Sequence, residues 1–310
     1  RAGDLVTCTD GDEWLKHFAP TVAGQYGKRA TANTEQLHDE LFHPVYGWAH
    51  RVRTADVITD LPDMGRVTVA GEMSGESARA YKVAERDLQA WLIRCYGSNK
   101  AESMMKVEAL TRLQELRRLV GRAKVDAVVE QVALLLDTPE GEDREQVLVM
   151  CSHTNVRESI ISELAKGHKV ATIHGGMTAE AKQKVVDAWQ AGEVDVVVAN
   201  VISASVGFTM TAGRHIVFAE LPWNSADLVQ SEARLLRKGQ ERTVVSTAVL
   251  GVKADGAQTI DGRLWGVLQS KFAEAEGVLD GNFTAELTDE EMTSIAMQVL
   301  RGIAEDMGLA

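Results

Sequence analysis

Apolar runs recur at regular intervals through the middle of the chain. The five runs, each rich in aliphatic and β-branched residues, lie at 147–150, 170–173, 194–199, 216–221 and 243–250. They are apolar throughout and do not alternate with polar residues, which is typical of strands covered on both faces. Helix-like stretches separate some of them, at 154–166, 178–190 and 225–237. This alternation predicts an α/β fold built on a doubly wound parallel sheet with right-handed crossovers.

Residues at the ends of two helix-like stretches support these boundaries. Thr178 is a suitable N-cap for the stretch that follows it, and Gly192 lies just past its end. Asn224 or Ser225 can cap the next stretch, which Gly239 follows. Short polar side chains satisfy free N–H groups at a helix start, and glycine tolerates the backbone beyond a helix end. We therefore expect both helices to begin and end near these residues.

The segments on either side of the five runs are mostly helical in pattern. A short extended piece at 66–70 precedes the helix-like stretch that begins at residue 74. The helix-like stretches outside the central region are 74–92, 103–120, 259–276 and 288–306. We therefore predict three parts, which are a helical N-terminal segment over 1–122, the α/β lobe over 123–255 and C-terminal helices over 256–310.

Composition narrows the class of protein. The 310 residues are 45% hydrophobic and 25% charged, as in ordinary globular proteins. No apolar run is long enough to span a bilayer, and the N-terminus lacks the apolar core of a signal peptide. Cys8, Cys95 and Cys151 are widely spaced, which argues against a disulfide framework and a zinc site. We expect no metal site and no membrane partner, and a reducing compartment that is cytoplasmic or, in a eukaryote, nuclear.

The net charge of −12 restricts how the chain can meet nucleic acid. A protein that binds nucleic acid over a broad surface usually has a basic footprint. The clearest basic stretch lies at 112–124, and its spacing predicts a solvated helix face. Any contact with DNA must therefore be local, or shared with a partner surface.

The sharpest constellation of polar residues is Gln230, Arg234 and Arg237, which are spaced four and three apart. This spacing predicts that all three share one face of a helix. Two forked guanidinium groups on one face can bind a phosphate bidentately. The alternative is a solvated pair of arginines bonded to Glu232 or Asp227.

The order of segments around these arginines resembles the second lobe of superfamily-two helicases, and the Swi/Snf branch in particular. The segments that carry the resemblance are VLVMCSHTNV (147–156), IHGGMTAEAK (173–182), VVVANVISASVGFTMTAGRHIVFAELPWN (196–224) and QSEARLLRKGQ (230–240). Two details, VISASVGFTMT and VFAELPWN, look most like the annealing-helicase branch.

The resemblance extends beyond the lobe and covers about 35–280 in one unbroken order. Residues 37–62 are similar to the family segment that closes the first lobe, and 110–136 to the start of the second. Residues 259–272 look like the helix that braces the two lobes. The resemblance thus implies a RecA-like lobe with a helical linker before it and brace helices after it.

The resemblance also implies roles at an ATP site between two lobes. Arg234 and Arg237 would be catalytic, and Gln230, Gly207 and Gly239 would lie at the ATP. ATP and Mg²⁺ would be bound mainly by a first RecA-like lobe, which would act in cis or in trans.

Duplex DNA is the other partner that the resemblance implies, contacted through its backbone and independently of sequence. The candidate DNA-binding residues are Ser152, His153, Gly175, Gly176, Ser203, Trp223 and Asn224. Donors and glycines at the carboxyl ends of parallel strands can approach phosphate oxygens closely. Taken alone, the glycines would form turns and the polar residues would satisfy loops.

Two departures from the family pattern affect the activity expected of this chain. Ala233 and Leu236 stand where the family usually has Asp and His, which affects coupling between the arginines and the rest of the site. No phosphate-binding loop is present, since GQYGKRAT (24–31) has the wrong glycine spacing and has Arg29 where Ser or Thr belongs after the Lys. These absences, in a chain that begins at Arg1, lead us to expect part of a longer protein or half of a split enzyme, inactive alone.

The function that we predict is the second-lobe part of an ATP-dependent double-stranded-DNA translocase or helicase. The remodelling reaction would be of the strand-annealing or fork-remodelling kind. One alternative is a non-catalytic DNA- or protein-binding module that keeps the lobe without ATPase chemistry. Another is half of an α/β nucleotide-sugar transferase, which would explain the fold but not the two spaced arginines.

Overall fold

The computed structural model describes residues 21–24, 27–30, 60–96, 102–138, 144–201, 208–280 and 295–309, and the statements below concern these residues. Two of the candidate site residues, Ser203 and Gly207, lie outside the described residues. Their predicted contacts with DNA and ATP stay predictions.

Within the ranges that the structure describes, eight strands form two sheets. The strands are β1 (Thr21–Gly24), β2 (Gly27–Ala30), β3 (Met64–Glu72), β4 (Val147–Cys151), β5 (Val170–Ile173), β6 (Val196–Asn200), β7 (His215–Phe218) and β8 (Val244–Val252). Strands β1 and β2 pair as an antiparallel hairpin. The other six form one sheet in the order β3-β8-β7-β4-β6-β5, and every pairing in it is parallel. The predicted parallel α/β sheet is therefore confirmed.

Eight helices accompany the sheet within the described residues. They are α1 (Gly75–Tyr96), α2 (Glu102–Ala123), α3 (Val125–Leu136), α4 (Thr154–Leu164), α5 (Ala179–Gln190), α6 (Ser225–Glu232), α7 (Ile260–Asp280) and α8 (Ile295–Asp306). Thr178 caps α5, since its Oγ1 accepts the N–H of Ala181 at 3.2 Å. Gly192, just past the helix, has a φ of +70°, which glycine adopts without strain.

The two faces of the sheet bury separate sets of side chains. In β4, Leu148 and Met150 face one side, whereas Val147, Val149 and Cys151 face the other, and all five are fully buried. Helices α3 and α4 cover the second side, and the remaining helices cover the first. A strand with helices on both faces gains from apolar residues at every position, which is why the run contains no polar residue.

The strand β3 is longer than the extended piece predicted at 66–70, and it belongs to the main sheet. It pairs with β8 over nine positions, from Met64 opposite Val244 to Glu72 opposite Val252, as an edge strand of the lobe's own sheet. Most of its residues are exposed or half-buried, so the strand lacks the continuous apolar run that marks the others.

One hydrophobic core joins the three predicted parts of the chain. Tyr81 and Trp91 of α1, Phe218 of the sheet, Leu264 of α7 and Leu300 of α8 belong to the same buried cluster. The boundaries at 122/123 and 255/256 stay a prediction, but the described residues on both sides of each are packed together. No helix within the described ranges is both long and apolar enough to cross a membrane.

Candidate functional site

The carboxyl ends of the parallel strands gather several candidate residues at one edge of the sheet. Ser152 and His153 follow β4, Asn200 ends β6, and Glu220 comes two residues after β7. Because neighbouring strands run in the same direction, these residues meet at the edge where α/β proteins usually bind ligands. The glycines Gly175 and Gly176 follow β5 at the same edge and form an exposed turn.

Glu220 is the centre of this edge, although the sequence did not single it out. It is 3% exposed, and its Oε2 accepts the backbone N–H groups of Ser152 at 2.8 Å and His153 at 2.9 Å. Its Oε1 lies 2.5 Å from Nδ1 of His153. The carbonyl of Ser152 accepts a further hydrogen bond from Nδ2 of Asn200 at 2.8 Å. The backbone of two predicted DNA-binding residues is thus fixed by side chains from two neighbouring strands.

The charge of Glu220 follows from these contacts. Burial by itself would raise the pKa of this carboxyl, because it disfavours the charged form. The hydrogen bond and charge of the His153 ring, together with the two backbone N–H groups, outweigh burial and lower the pKa below its ordinary value. Glu220 is therefore ionised at neutral pH, and a carboxylate can only accept hydrogen bonds.

Helix α2 packs directly against this carboxylate. A Cβ added to Gly121 would lie 2.8 Å from Oε1 of Glu220, so only glycine allows the helix to approach so closely. One turn earlier, Arg117 donates from Nη2 to the carbonyl of Leu221. Its guanidinium also stacks over the ring of Trp223, with Cζ 4.3 Å from the ring centroid. The helix therefore holds the whole connection from Glu220 to Trp223.

The basic stretch 112–124 was predicted to be a solvated helix face, and for two of its residues this was wrong. Arg117 is only 4% exposed, and burial lowers its pKa below the ordinary value. Lys124 is fully buried, and its Nζ lies 2.5 Å from both Oδ2 of Asp261 and the carbonyl of Val249. Both side chains are buried against partners that are distant in sequence, namely backbone carbonyls and the carboxylate of Asp261, so their spacing along the helix could not predict their burial.

Trp223 and Asn224 both have structural partners. One face of the Trp223 ring carries Arg117, and the ring packs against the core. Asn224 caps α6, as predicted, since its Oδ1 accepts the N–H of Asp227 at 2.7 Å and its Nδ2 donates to the Asp227 carboxylate at 2.8 Å. A DNA contact by either residue stays a prediction.

The predicted helical face shared by Gln230, Arg234 and Arg237 was wrong, because α6 ends at Glu232. The chain continues in tight turns, in which the carbonyl of Arg234 accepts the N–H of Met210 at 2.9 Å. Tertiary hydrogen bonds thus use carbonyls that a longer helix would need for itself. Gln230 stays on α6 and is exposed, whereas the arginines lie in the turns that follow.

Gln240 fastens these turns from their far end. It is 4% exposed, and its Nε2 donates to the carbonyls of Gly213 at 2.9 Å, Thr211 at 3.1 Å and Leu235 at 3.3 Å. Gly239, just before it, has a φ of +96°, a conformation that side-chain-bearing residues rarely adopt. The Gly-Gln pair therefore shapes the arginine segment.

Both arginines lie in these turns after α6. Arg237 donates from Nη1 to Oγ1 of Thr209 at 3.1 Å and to the carbonyl of Phe208 at 3.4 Å. Burial, and then the positive charge of Arg237, lower the pKa of Arg234. Arg234 is 7% exposed and Arg237 is half-buried, so Arg237 is the more accessible of the pair.

The carboxylates that were considered as alternative partners for the arginines have other partners. Arg66 of β3 binds Glu232 bidentately, from Nε at 2.9 Å and Nη2 at 2.7 Å, and its guanidinium also stacks on Phe272 of α7. Asp227 receives the amide of Asn224. The hydrogen bonds found for Glu232 and Asp227 thus come from Arg66 and Asn224, and not from Arg234 or Arg237 as the alternative would require.

Comparisons with known proteins agree with this architecture. Residues 123–239 match the family model of the helicase conserved C-terminal domain. A SWI/SNF-related matrix-associated actin-dependent regulator of chromatin subfamily A-like protein 1 from Xenopus laevis is 31% identical over 190 residues, which cover 59% of this chain and 19% of that protein. The human DNA annealing helicase and endonuclease ZRANB3 is 25% identical over 272 residues, which cover 86% of this chain and 23% of that protein. The chain thus spans about a fifth of the length of these curated relatives.

Two solved structures share the fold. The C-terminal part of the Fun30 ATPase domain superposes with a TM-score of 0.54 at 12% identity, covering 80% of this chain and 98% of that one. The Sulfolobus solfataricus SWI2/SNF2 ATPase core in complex with double-stranded DNA gives a TM-score of 0.54 at 19% identity, covering 84% of this chain and 56% of that one. Residues 123–239 thus match a helicase C-terminal domain, and the chain is similar to Swi/Snf-related proteins over a longer stretch, while the two solved structures share its RecA-like fold.

Proposed function

We propose that this chain is the second-lobe part of an ATP-dependent double-stranded-DNA translocase or helicase, and that it supplies the arginine side of an ATP site between two lobes. The observation that carries the proposal is that Arg234 and Arg237 both lie in the short run of turns after α6. Two guanidinium groups in one short segment can bind an anionic ligand together. The match to the helicase C-terminal domain supports ATP as that anion.

The residues present fit the phosphates of a nucleotide. Forked guanidinium groups match phosphate oxygens bidentately, and they keep their charge even where burial lowers the pKa. Bound ATP would supply the phosphoryl group that is transferred to water. Arg234 and Arg237 would neutralise the charge that develops on that group, which is worth about 10³–10⁵ in rate in comparable hydrolases. Gln230 and Gly239 flank the arginines and would support them.

The described residues do not offer a Mg²⁺ site of their own. No group of three His, Cys, Asp or Glu side chains suited to a metal occurs in the part of the chain that the structure describes. Mg²⁺ is held by carboxylates and phosphate oxygens in nucleotide hydrolases. We therefore assign the metal, and most of the nucleotide contacts, to a first lobe that is joined to this one or meets it as a partner.

Duplex DNA is the proposed polymer, bound through its backbone. A Swi/Snf core with the same fold was solved in complex with double-stranded DNA. On this chain the fixed backbone of Ser152 and His153, at the carboxyl edge of the sheet, supports contacts with phosphates. The net charge of −12 limits these contacts to a few.

A test of the ATP site compares this chain alone with the chain joined to a first lobe. We expect the 310-residue chain to hydrolyse no ATP above background, with or without DNA, since a phosphate-binding loop and Mg²⁺ ligands must come from elsewhere. Turnover should appear, and rise with DNA, only when a first lobe is supplied. Robust DNA-stimulated ATP turnover by the pure chain would contradict the proposal that the ATP site is shared between this chain and a first lobe.

A non-catalytic binding module is the second candidate, and one observation favours it. Leu236, where the family usually has His, packs against the hydrophobic core between the two arginines. An apolar residue there cannot relay a hydrogen bond from the arginines to another motif. If the joined lobes bind duplex DNA but show no turnover with any nucleotide, the binding module is the correct description.

A further inference from the structure

The imidazole of His153 is held so that only one of its nitrogens can meet a ligand. Its Nδ1 lies 2.5 Å from Oε1 of Glu220. Its Nε2 makes no hydrogen bond within the described residues, and 23% of the side chain is exposed. Nε2 therefore contacts solvent at the same edge of the sheet as the turn Gly175–Gly176.

The contact with Glu220 determines which nitrogen carries hydrogen. An ionised carboxylate can only accept, so Nδ1 must be the donor. In the neutral ring Nε2 then has a lone pair and no hydrogen, and it cannot donate to a phosphate oxygen. In the protonated ring Nε2 carries both a hydrogen and a share of the positive charge. The ability of His153 to bind an oxyanion therefore depends on a single proton.

We propose that His153 is a proton-dependent ligand for a phosphodiester oxygen of DNA, and that Glu220 is the positioning residue that fixes its ring. This inference rests on the proposed DNA-binding function of the chain. It adds a switch to that function, since one phosphate contact forms when the ring is protonated and is lost when the ring is neutral.

Glu220 is itself too firmly held to release the ring. It is buried, it accepts two backbone N–H groups besides Nδ1, and Gly121 of α2 closes over Oε1. Arg117, on the same helix, fixes the next residue through the carbonyl of Leu221. Glu220 is thus held in place as the acceptor that faces Nδ1 of His153.

Charged groups on α2, on α4 and just after β7 surround His153. Besides Glu220, the carboxylate of Glu115 on α2 lies near His153. The hydrogen bond from Arg118 lowers the pKa of Glu115 most, and the charge of His153 makes a smaller contribution in the same direction. The cations that face this region are Arg117 and Arg118 on α2 and Arg157 on α4. Nη2 of Arg157 lies 3.8 Å from Oε1 of Glu158, the next residue of α4. Arg118 is paired with Glu115, and Arg117 donates to Leu221.

The decisive experiment measures how DNA binding by this chain depends on salt at two pH values. Each phosphate neutralised contributes about −0.9 to the slope of log K against log salt. Histidine changes charge between about pH 5 and 8. We expect the slope for a duplex of scrambled sequence to be steeper by about 0.9 at about pH 5.5 than at about pH 8.

Substitutions at His153 separate this contact from other titrating groups. His153→Lys, charged at both pH values, should keep the steep slope throughout, and His153→Asn should keep the shallow slope throughout. His168→Lys is the matched control, because it adds the same charge before β5, at the opposite edge of the sheet, and should leave the pH-dependent change in slope intact. A change in slope that persists in both His153 variants, or is missing from the unsubstituted chain, overturns the inference and leaves DNA binding in place. If the chain binds no duplex at either pH, the DNA-binding function fails as well.

The positioning role of Glu220 has its own measurement, which needs no DNA. In ¹⁵N-histidine spectra at about pH 8, where histidine is neutral, His153 should carry its hydrogen on Nδ1. In Glu220→Gln the amide N–H₂ can donate to Nδ1, so the hydrogen should move to Nε2. Glu115→Gln removes the other nearby carboxylate and should leave the hydrogen on Nδ1. The positioning role is wrong if Glu220→Gln folds and His153 keeps its hydrogen on Nδ1.

Discussion

Buried charged side chains near the carboxyl edge of the sheet are oriented by specific partners. Glu220 is fixed by backbone N–H groups, and Arg117 by a carbonyl and an aromatic ring. Arg237, which is half-buried, donates to Thr209 and Phe208. These contacts preorganise charge before any ligand binds, which is how protein sites stabilise charge that develops during a reaction.

The first prediction concerns the two arginines in the complete enzyme. We expect Arg237→Ala to lower kcat by a factor on the order of 10³ while KM for ATP changes little, because a contact that forms in the transition state affects kcat most. Arg234→Ala should also lower kcat. Steady-state ATP turnover in the presence of duplex DNA measures both constants.

Two further substitutions control for charge and for folding. Arg237→Lys keeps the charge but loses the fork, so it should recover only part of the rate. Lys238→Ala removes the neighbouring exposed cation and should leave kcat unchanged. If both arginine variants turn over ATP at the unsubstituted rate, the arginines serve structure alone.

His215 makes stability depend on pH in the opposite part of the sheet. This residue of β7 is 7% exposed, and its Nδ1 has no hydrogen-bond partner within the described residues. Burial lowers its pKa below 6.5, despite the nearby carboxylate of Glu145, and Arg214 and Arg242 add to the lowering. The unfolded chain therefore binds more protons here than the folded one in the window just below pH 6.5.

The sign follows from this difference in proton binding. The contribution of His215 to stability should be fully present above about pH 6.5 and lost as the pH falls through the folded pKa, with a slope below about 1.4 kcal/mol per pH unit. Urea unfolding between about pH 5 and 7.5 measures it, and His215→Gln should flatten the profile while His168→Gln should not. A profile unchanged by His215→Gln would show that other groups cause the dependence.

At the scale of elements, how well the sequence predicted the structure depended on which partners an element has. Strands such as β4, covered on both faces, are apolar throughout and were predicted nearly to the residue. The edge strand β3 has one pairing partner and exposed residues, so only a fragment of it was predicted. The turns at Arg234 contain good helix formers, but tertiary hydrogen bonds to Met210 and Gln240 end the helix early. Glu220 was missed because one acid near an apolar run carries no spacing signal.

The junction of α2, β8 and α7 rests on a buried ion pair, and it carries the third prediction. Lys124 and Asp261 are almost fully buried and 2.5 Å apart, and Oδ2 of Asp261 also accepts the N–H of Gly251 at 3.0 Å. Asp261→Ala leaves an unpaired buried cation, so we expect it to lower the free energy of unfolding by about 3–5 kcal/mol. Urea unfolding at neutral pH measures the change.

An exposed ion pair on α7 and α8 offers the matched comparison. Arg263 and Asp306 are 2.6 Å apart, but Asp306 is largely exposed, so Asp306→Ala should cost no more than about 1 kcal/mol. Lys124→Met combined with Asp261→Asn removes the charge and keeps an acceptor for Gly251. This double variant should recover much of the stability lost in Asp261→Ala. If it loses as much stability as the single variant, the ion pair itself stabilises the junction, and the unpaired charge of Lys124 is not the cause of the loss.

At the scale of the whole molecule, the proposed function requires an acidic lobe to bind an acidic polymer. The chain has 33 basic and 45 acidic side chains, and burial removes Arg117 and Lys124 from the basic ones available to DNA. The described residues on both flanks share the core of the lobe, so the lobe presents its carboxyl edge as part of one packed unit. A few phosphate contacts at that edge, supplemented by those of a first lobe, reconcile the charge with the proposed function.

The last prediction follows from this balance. We expect the chain alone to bind duplex DNA weakly and with no preference for base sequence, because backbone contacts carry no sequence information. With few phosphates neutralised, at about −0.9 each, its slope of log K against log salt should be shallow, and it should steepen when a first lobe is joined. Titration of two duplexes of unrelated sequence, at salt concentrations from about 50 to 200 mM, measures both the preference and the slope. Tight binding to only one of the duplexes would instead require side chains that read base edges in a groove, and the binding module would then be the better description.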